Sequence, residues 1–405
     1  MPFAVPSPIR PLRVSAYTAT AATGVGKSAL LAALRERRGG LRPNDFGPDP
    51  LPTFIGRVDG LEDAALPERY GEWECRNNRL AWLALRADGF LAAAEAARAR
   101  YGRDRVAIVV GTSTSSIGAS EDAYRALTRD GHYPEALRRP IVHTPHSLGD
   151  FVQAALELEG YCVTVATACS SSAKVFAQAA RLLDAGIADA AIVGGVDTLC
   201  GSVLYGFNSL ELVSPEPCRP FDRERRGISL GEGGGFALIE RDEDAAASGP
   251  RLVGYGESSD AHHMSSPHPE GLGARLSLEA ALARAGLEPD AIGYVNAHGT
   301  ASAKNDEVEA GVIASMFPAA TRASSTKGWT GHTLGAAGIV EATIALIALE
   351  HGFAPGTLNA RELDAACGPQ IRIDNEAVPL AYVASNSFGF GGNNATLVFG
   401  RGRAA

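Results

Sequence analysis

Basic residues are in short supply in this chain of 405 residues. Its 37 Lys and Arg face 46 Asp and Glu, a formal net charge of −9 that repels polyanions at long range. No nucleic-acid wrapping is expected, and an acidic partner has to find a local basic patch. Cysteine is scarce as well. Cys75, Cys162, Cys169, Cys200, Cys218 and Cys367 are few for the length and form no C-x-x-C pair, which disfavours a disulfide framework and structural zinc. No run of eighteen apolar residues occurs, and MPFAVPSPIRPLRV places prolines ahead of any apolar run. Neither a membrane span nor a secretory leader is expected, and the reading is a soluble cytoplasmic protein.

What is present is an ordinary globular composition, 45% hydrophobic and 20% charged, which excludes a disordered chain. Glycines gather at the ends of short apolar runs that read as buried strands: Val106 to Val110, Tyr161 to Ala166, Ala190 to Val193, Phe236 to Ile239, Gly293 to Asn296, Tyr382 to Ser385 and Ala395 to Phe399. Helical patterns lie between them, at Asn78 to Arg98, Ser170 to Ala185, Leu276 to Ala285, Asp306 to Met316 and Ala336 to Leu349. The alternation predicts α/β layers with helices covering the sheets. The charged segment Glu240 to Ala247, followed by SGP, suggests two halves, 1–250 and 251–405.

The strongest local signal is VTVATACSSSAKVFAQAARLL, a strand, a tight turn and a long helix with Cys169 at the joint. A helix N-terminus is expected to lower the pKa of a thiol there, and its amides can hold an oxyanion. A buried, inert thiol is the alternative, and Cys169 alone does not decide between them; the other five cysteines take the inert reading. His298, in YVNAHGTAS, and His332, in STKGWTGHTLGAAG, occupy matching loops at strand ends. Two neutral imidazoles would offer two Nε2–H donors to an enolate or carbonyl oxygen. Lys327 adds a charge that disfavours protonating its neighbour, and Glu341 is a reasonable ionic partner for it. In SNSFGFGGNN the glycines let amides approach a ligand, with Phe390 as a movable apolar stopper.

These four motifs, in this order and at these separations, resemble the β-ketoacyl-[acyl-carrier-protein] synthases of the KAS I/II class. ADAAIVGGVDT, PCRPFDRERRGISLGEGGG and DAHHMSSPHPEG extend the resemblance over most of the chain. It implies an α/β thiolase fold, five layers α-β-α-β-α built from two similar halves, normally dimeric. It also implies decarboxylative Claisen condensation of a Cys-bound acyl chain with malonyl-carrier, in fatty-acid, aryl-polyene or type II polyketide elongation. Cys169 matches the acylated nucleophile, His298 and His332 the decarboxylating pair, Lys327 the active-site lysine and Glu341 its partner. Phe390 matches the gate whose amide, with that of Cys169, forms the oxyanion hole. Thr300 and Ser302 match hydroxyls on the phosphopantetheine arm. The resemblance implies no metal or redox cofactor, an acyl carrier protein as partner, and a homodimer or a heterodimer with a chain-length-factor-like subunit. A scaffold subunit of such a heterodimer is the runner-up reading.

Some segments depart from that pattern or imitate another. Ala303 and the GGNN ending at Asn394 differ slightly from the family form. ERYGEWEC, with Glu72 and Glu74, is acidic where a carrier-docking surface calls for basic residues, which leaves Arg125, Arg129, Arg138 and Arg139 as the best remaining basic cluster. TAATGVGKS lacks the first glycine of a P-loop, since Ala21 stands there. His262, His263 and His268 could be drawn as a metal site, but adjacent side chains on extended chain point apart, and pocket or interface lining is the preferred reading.

Overall fold

The computed structural model describes residues 6–242 and 248–402, so part of the charged segment Glu240 to Ala247 lies outside the described residues. The first half carries β1 (Leu12–Ala21), β2 (Val106–Gly111), β3 (Cys162–Val165), β4 (Ala190–Asp197) and β5 (Gly233–Arg241). The second carries β6 (Pro250–Ser259), β7 (Ile292–Asn296), β8 (Arg322–Ser324), β9 (Tyr382–Gly389) and β10 (Asn393–Arg401). The helices that cover them are α1 (Gly26–Glu36), α2 (Arg76–Leu85), α3 (Phe90–Tyr101), α4 (Ser147–Leu156), α5 (Ser171–Asp184), α6 (Leu272–Ala285), α7 (Ala303–Met316) and α8 (Ala337–His351).

In space the strands run β8-β7-β9-β10-β6-β1-β5-β4-β2-β3. Each half has the same plan: its third strand, second, fourth, fifth and first lie side by side. The first three of these are parallel and the last two join antiparallel. Strand β1 of the first half pairs with β6 of the second at Leu12–Leu252 and Arg13–Arg251, which makes the ten strands one continuous sheet. Alternation along the strands builds the layers. Ala107 and Val109 face a core shared with α5 and α8, while Val106, Ile108 and Val110 face the core under α2, α3 and α4. On the far side α6 and α7 cover Ile292, Val295 and Val398. The result is the five-layered α-β-α-β-α arrangement, with α5 and α8 in the middle.

The stretch Leu334–His351, with mean hydropathy 1.5, could cross a membrane by length and composition. It is 89% buried inside the protein, as the apolar middle layer requires. The helical pattern expected over Asn78 to Arg98 is broken: α2 ends at Leu85, and Asp88 and Gly89 take left-handed backbone (φ 54° and 73°) before α3 begins. The break has a use. The Asp88 carboxylate accepts from Thr18 Oγ1 (2.8 Å) and from the Lys27 amide (2.9 Å) at the start of α1. The P-loop look-alike therefore already has an anion at its helix N-terminus, one of the protein's own.

Candidate active site

Cys169 sits between β3 and α5, as its context predicts, after a residue in left-handed backbone, Ala168 (φ 52°). Serines hold the turn. The Thr167 amide donates to Ser171 Oγ (2.9 Å), Ser171 Oγ donates to Ala168 O (2.6 Å), and the Ile339 amide of α8 donates to Ser172 Oγ (3.0 Å). Helix-to-helix contact is close: a Cβ on Gly338 would lie 2.3 Å from the Ala173 nitrogen, so only glycine fits.

His332 reaches across from the second half. Its backbone is pinned to the first half by His332 N to Ser229 O (2.8 Å) and Gly231 N to His332 O (2.9 Å). Its Nε2 lies 2.9 Å from Cys169 Sγ. His298 stands edge-to-face against it, ring centroids 5.3 Å apart, and the reactive atoms of Cys169, His298 and His332 lie within 4.8 Å of one another. Behind them the Lys327 ammonium, 1% exposed, is bonded to Glu341 and to the His298 carbonyl, with His298 Nδ1 at 3.4 Å. Because an ammonium only donates, His298 Nδ1 accepts and its proton sits on Nε2. Burial, and then Lys327, push both imidazoles well below the usual histidine value; for His298 the facing His332 adds to this. Both rings are neutral.

The expected lowering of the Cys169 pKa is overturned. Burial pushes the thiol up to about 12, against the pull of Lys327 and of the Phe390 amide, with Asp197 and Glu341 adding to the rise. The first-turn amides do not help, because Ser170 N, Ser171 N and Ala173 N are bonded to Thr167 O, Ala168 O and Ser170 O. Cys169 is thus a thiol whose S–H can donate to His332 Nε2. In this state His298 offers the free Nε2–H, rather than both rings together.

These three side chains are also the one group of metal-capable ligands that comes together among the described residues. The geometry is that of a hydrogen bond. Sulfur and nitrogen bound to one tetrahedral zinc stand about 3.5 Å apart, given bonds of about 2.3 and 2.05 Å, and a neighbouring ammonium opposes a dication. Of the other histidines, His263 lines the same cavity as Cys169, while His262 and His268 meet edge-to-face with ring centroids 5.2 Å apart.

That cavity, about 210 Å³, is lined by Cys169, His298, His332, Thr300, Ser302 and Phe390, with Phe207, Leu212 and Ile228 as apolar walls. Thr300 and Ser302 share a hydrogen bond (2.9 Å). Phe390 is half-buried, tilted on Phe207 at 5.5 Å, and its amide points to the Cys169 sulfur. Gly391 and Gly392 follow in left-handed backbone, and the turn is tied down by Gly391 N to Met264 O (2.7 Å).

Two carboxylates that the motifs did not reveal hold this arrangement. Glu309 accepts from the amides of His298 (2.8 Å) and Gly299 (2.7 Å) and from Asn386 Nδ2 (3.1 Å). Asp306 accepts from the amides of Ala301 (3.1 Å) and Phe221 (2.7 Å). Burial raises the pKa of both, and the amide donors oppose that rise. Their signal was available: they fall on the same face of α7 as Ala310 and Ile313, where a core helix should be apolar. The basic cluster fares less well. Arg125 pairs with Asp122 and Glu121, Arg138 with Glu135, and Arg139 donates to the Glu74 carbonyl. Glu74 itself is bonded to Arg79.

Residues 76–245 match the β-ketoacyl synthase N-terminal domain family and residues 251–361 the β-ketoacyl synthase C-terminal domain family. The chain belongs to the β-ketoacyl synthases. It is 34% identical to 3-oxoacyl-[acyl-carrier-protein] synthase 2 of Vibrio cholerae over 318 residues, 73% of this chain and 76% of that protein. Among solved structures it is similar to the ketosynthase ApeO of Xenorhabdus doucetiae in complex with its chain length factor ApeC, at 36% identity and TM-score 0.87, covering 97% of this chain and 98% of that one. The ishigamide ketosynthase/chain length factor matches at 28% identity and TM-score 0.88, covering 97% of this chain and 99% of that one. This β-ketoacyl synthase is a condensing enzyme of the acyltransferase class.

Proposed function

We propose that this chain condenses a Cys169-bound acyl group with malonyl carried on an acyl carrier protein. The observation that carries this reading is the 2.9 Å contact between Cys169 Sγ and His332 Nε2, both buried at the base of the cavity that His298 and Phe390 also line. Acyl transfer starts when Cys169 S–H gives its proton to His332 Nε2 as sulfur attacks the incoming thioester; a thiol of pKa about 12 needs that base. The amides of Cys169 and Phe390 hold the oxyanion, and the proton leaves with the carrier's thiol. Once acylated, the sulfur has no proton to donate, and the His332 tautomer with Nε2–H becomes available beside that of His298. The two N–H groups hold the thioester oxygen of malonyl while carbon dioxide departs. The resulting enolate carbon attacks the acyl-cysteine, and the expelled thiolate takes a proton from solvent. Burial, with Lys327 behind it, keeps both rings neutral, so neither quenches the enolate. No metal or redox group takes part in this scheme.

Thr300 and Ser302 face the cavity where the pantetheine arm would pass. The relatives solved as ketosynthase/chain-length-factor pairs support a heterodimer with a chain-length-factor-like subunit; a specialised polyene or polyketide pathway in the cytoplasm belongs to the same proposal. The test is condensation of acyl-carrier with malonyl-carrier by Cys169→Ser. Loss of at least about 10³-fold is expected, and full product formation by the variant contradicts the proposal.

A further inference from the structure

We propose that Asp197 is a positioning residue that fastens the His332 turn, from the second half, onto the half that carries Cys169, and so sets the approach of imidazole to sulfur. The inference rests on the roles given above to Cys169 and His332. Asp197 ends β4 and is fully buried. Its Oδ1 accepts from Thr112 Oγ1, the Thr114 amide (3.0 Å) and Thr114 Oγ1 (2.7 Å). Its Oδ2 accepts from the Ser113 amide (2.8 Å), Ser113 Oγ (2.7 Å) and the Gly335 amide (2.6 Å). Five of these six donors belong to the loop after β2, in the first half. The sixth lies three residues past His332.

The downstream clamp completes the upstream one. Ser229 and Gly231 hold the His332 backbone on one side. On the other, Leu334 sits in left-handed backbone (φ 56°), which a leucine adopts only when its surroundings impose it, and the next amide is the one Asp197 holds. A Cβ on Gly335 would lie 2.6 Å from Asp197 Oδ2 and 2.6 Å from the Ser113 nitrogen, so the turn has no slack. An asparagine cannot replace this acid. It has one accepting oxygen and would turn an NH₂ group toward donors. The carboxylate also lies near enough to Cys169 to disfavour the thiolate, which supplies an independent handle on its charge.

The experiment compares full-length wild type, Asp197→Asn and Gly335→Ala by two readouts: condensation of acyl- with malonyl-carrier, and the pH profile of Cys169 alkylation by iodoacetamide, followed by peptide mass. Asp197→Asn should slow condensation about 10²-fold, the order expected when a reacting group is displaced by about 1 Å, and move the alkylation profile to lower pH. Gly335→Ala keeps the charge and pushes the turn, so it should slow condensation without that downward move. Condensation within twofold of wild type in folded Asp197→Asn overturns the proposal, as does a slow variant whose alkylation profile has not moved. If Asp197→Asn does not accumulate folded, Gly335→Ala decides by the same twofold criterion. Wild-type protein that alkylates normally but forms no product would sink the proposed function instead, and the shift of the alkylation profile would still test Asp197.

Discussion

The two halves share a strand plan and use it differently. After the second strand, the first half places Thr112, Ser113 and Thr114 and the second half His298. After the third strand come Cys169 in one and Lys327 and His332 in the other; at the end of the fourth, Asp197 and, one residue on, Phe390. Three equivalent seats in the first half thus hold one reactive sulfur and a set of anchors, while those of the second hold both imidazoles, the ammonium and the gate. The lesson is that a duplicated scaffold brings its loops to one meeting point, and chemistry becomes possible when the two sets differ. A cysteine alone in its half is a buried thiol of raised pKa; opposite a neutral imidazole it has a base.

This division can be broken by removing one seat at a time. His332→Ala takes away the base for acyl transfer and one donor for the enolate, so both Cys169 acylation and condensation should fall, by about 10²-fold or more, in separate half-reaction assays. His298→Ala removes the donor with no proton role at sulfur. Acyl loading should persist near the wild-type rate while malonyl decarboxylation falls by about 10²-fold, and equal loss of both steps would erase the distinction between the two rings.

A smaller effect concerns the charge behind them. Burial, against the pull of Lys327, pushes Glu341 up to about 7. Lys327→Met leaves that carboxyl unpaired in the middle layer, which should lower stability by about 3 kcal/mol at pH 8, read by denaturant unfolding. Its folded pKa then stands above the unfolded value of about 4.3, so the native state binds the extra proton. The stability is present below that unfolded value and is lost as pH rises through the folded one. The variant should therefore be less impaired at pH 6 than at pH 8; equal loss at both would contradict the assignment.

Much of this was legible in the sequence. The seven apolar runs became strands, most of them buried on both faces and Cys162–Val165 half-buried at the edge of the sheet, and the joint at Cys169 is where the strand-to-helix pattern put it. β1 and β6 were missed although they join the halves. LRVSAYTATA mixes Ser, Tyr and Thr into its run, and PRLVGYGESS carries glycines at 254 and 256, where a Cβ would meet the α6 backbone at 2.2 and 1.7 Å. Their polar and glycine content reflects tight packing, which one sequence does not separate from a loop. The thiol's pKa was misjudged because a helix N-terminus was weighed without knowing that its amides were already bonded and its surroundings dry. Glu309 and Asp306 were passed over although they stand on the buried face of α7, since most of their partners are backbone amides, which belong to no side-chain motif.

The most direct test is the intact mass of the wild-type protein after incubation with acyl-carrier, before and after malonyl-carrier is added. The account predicts one acyl group, located on Cys169 by peptide mass, which disappears as β-ketoacyl-carrier forms. A protein that stays unmodified while product accumulates, or that carries its acyl group on another side chain, would contradict it.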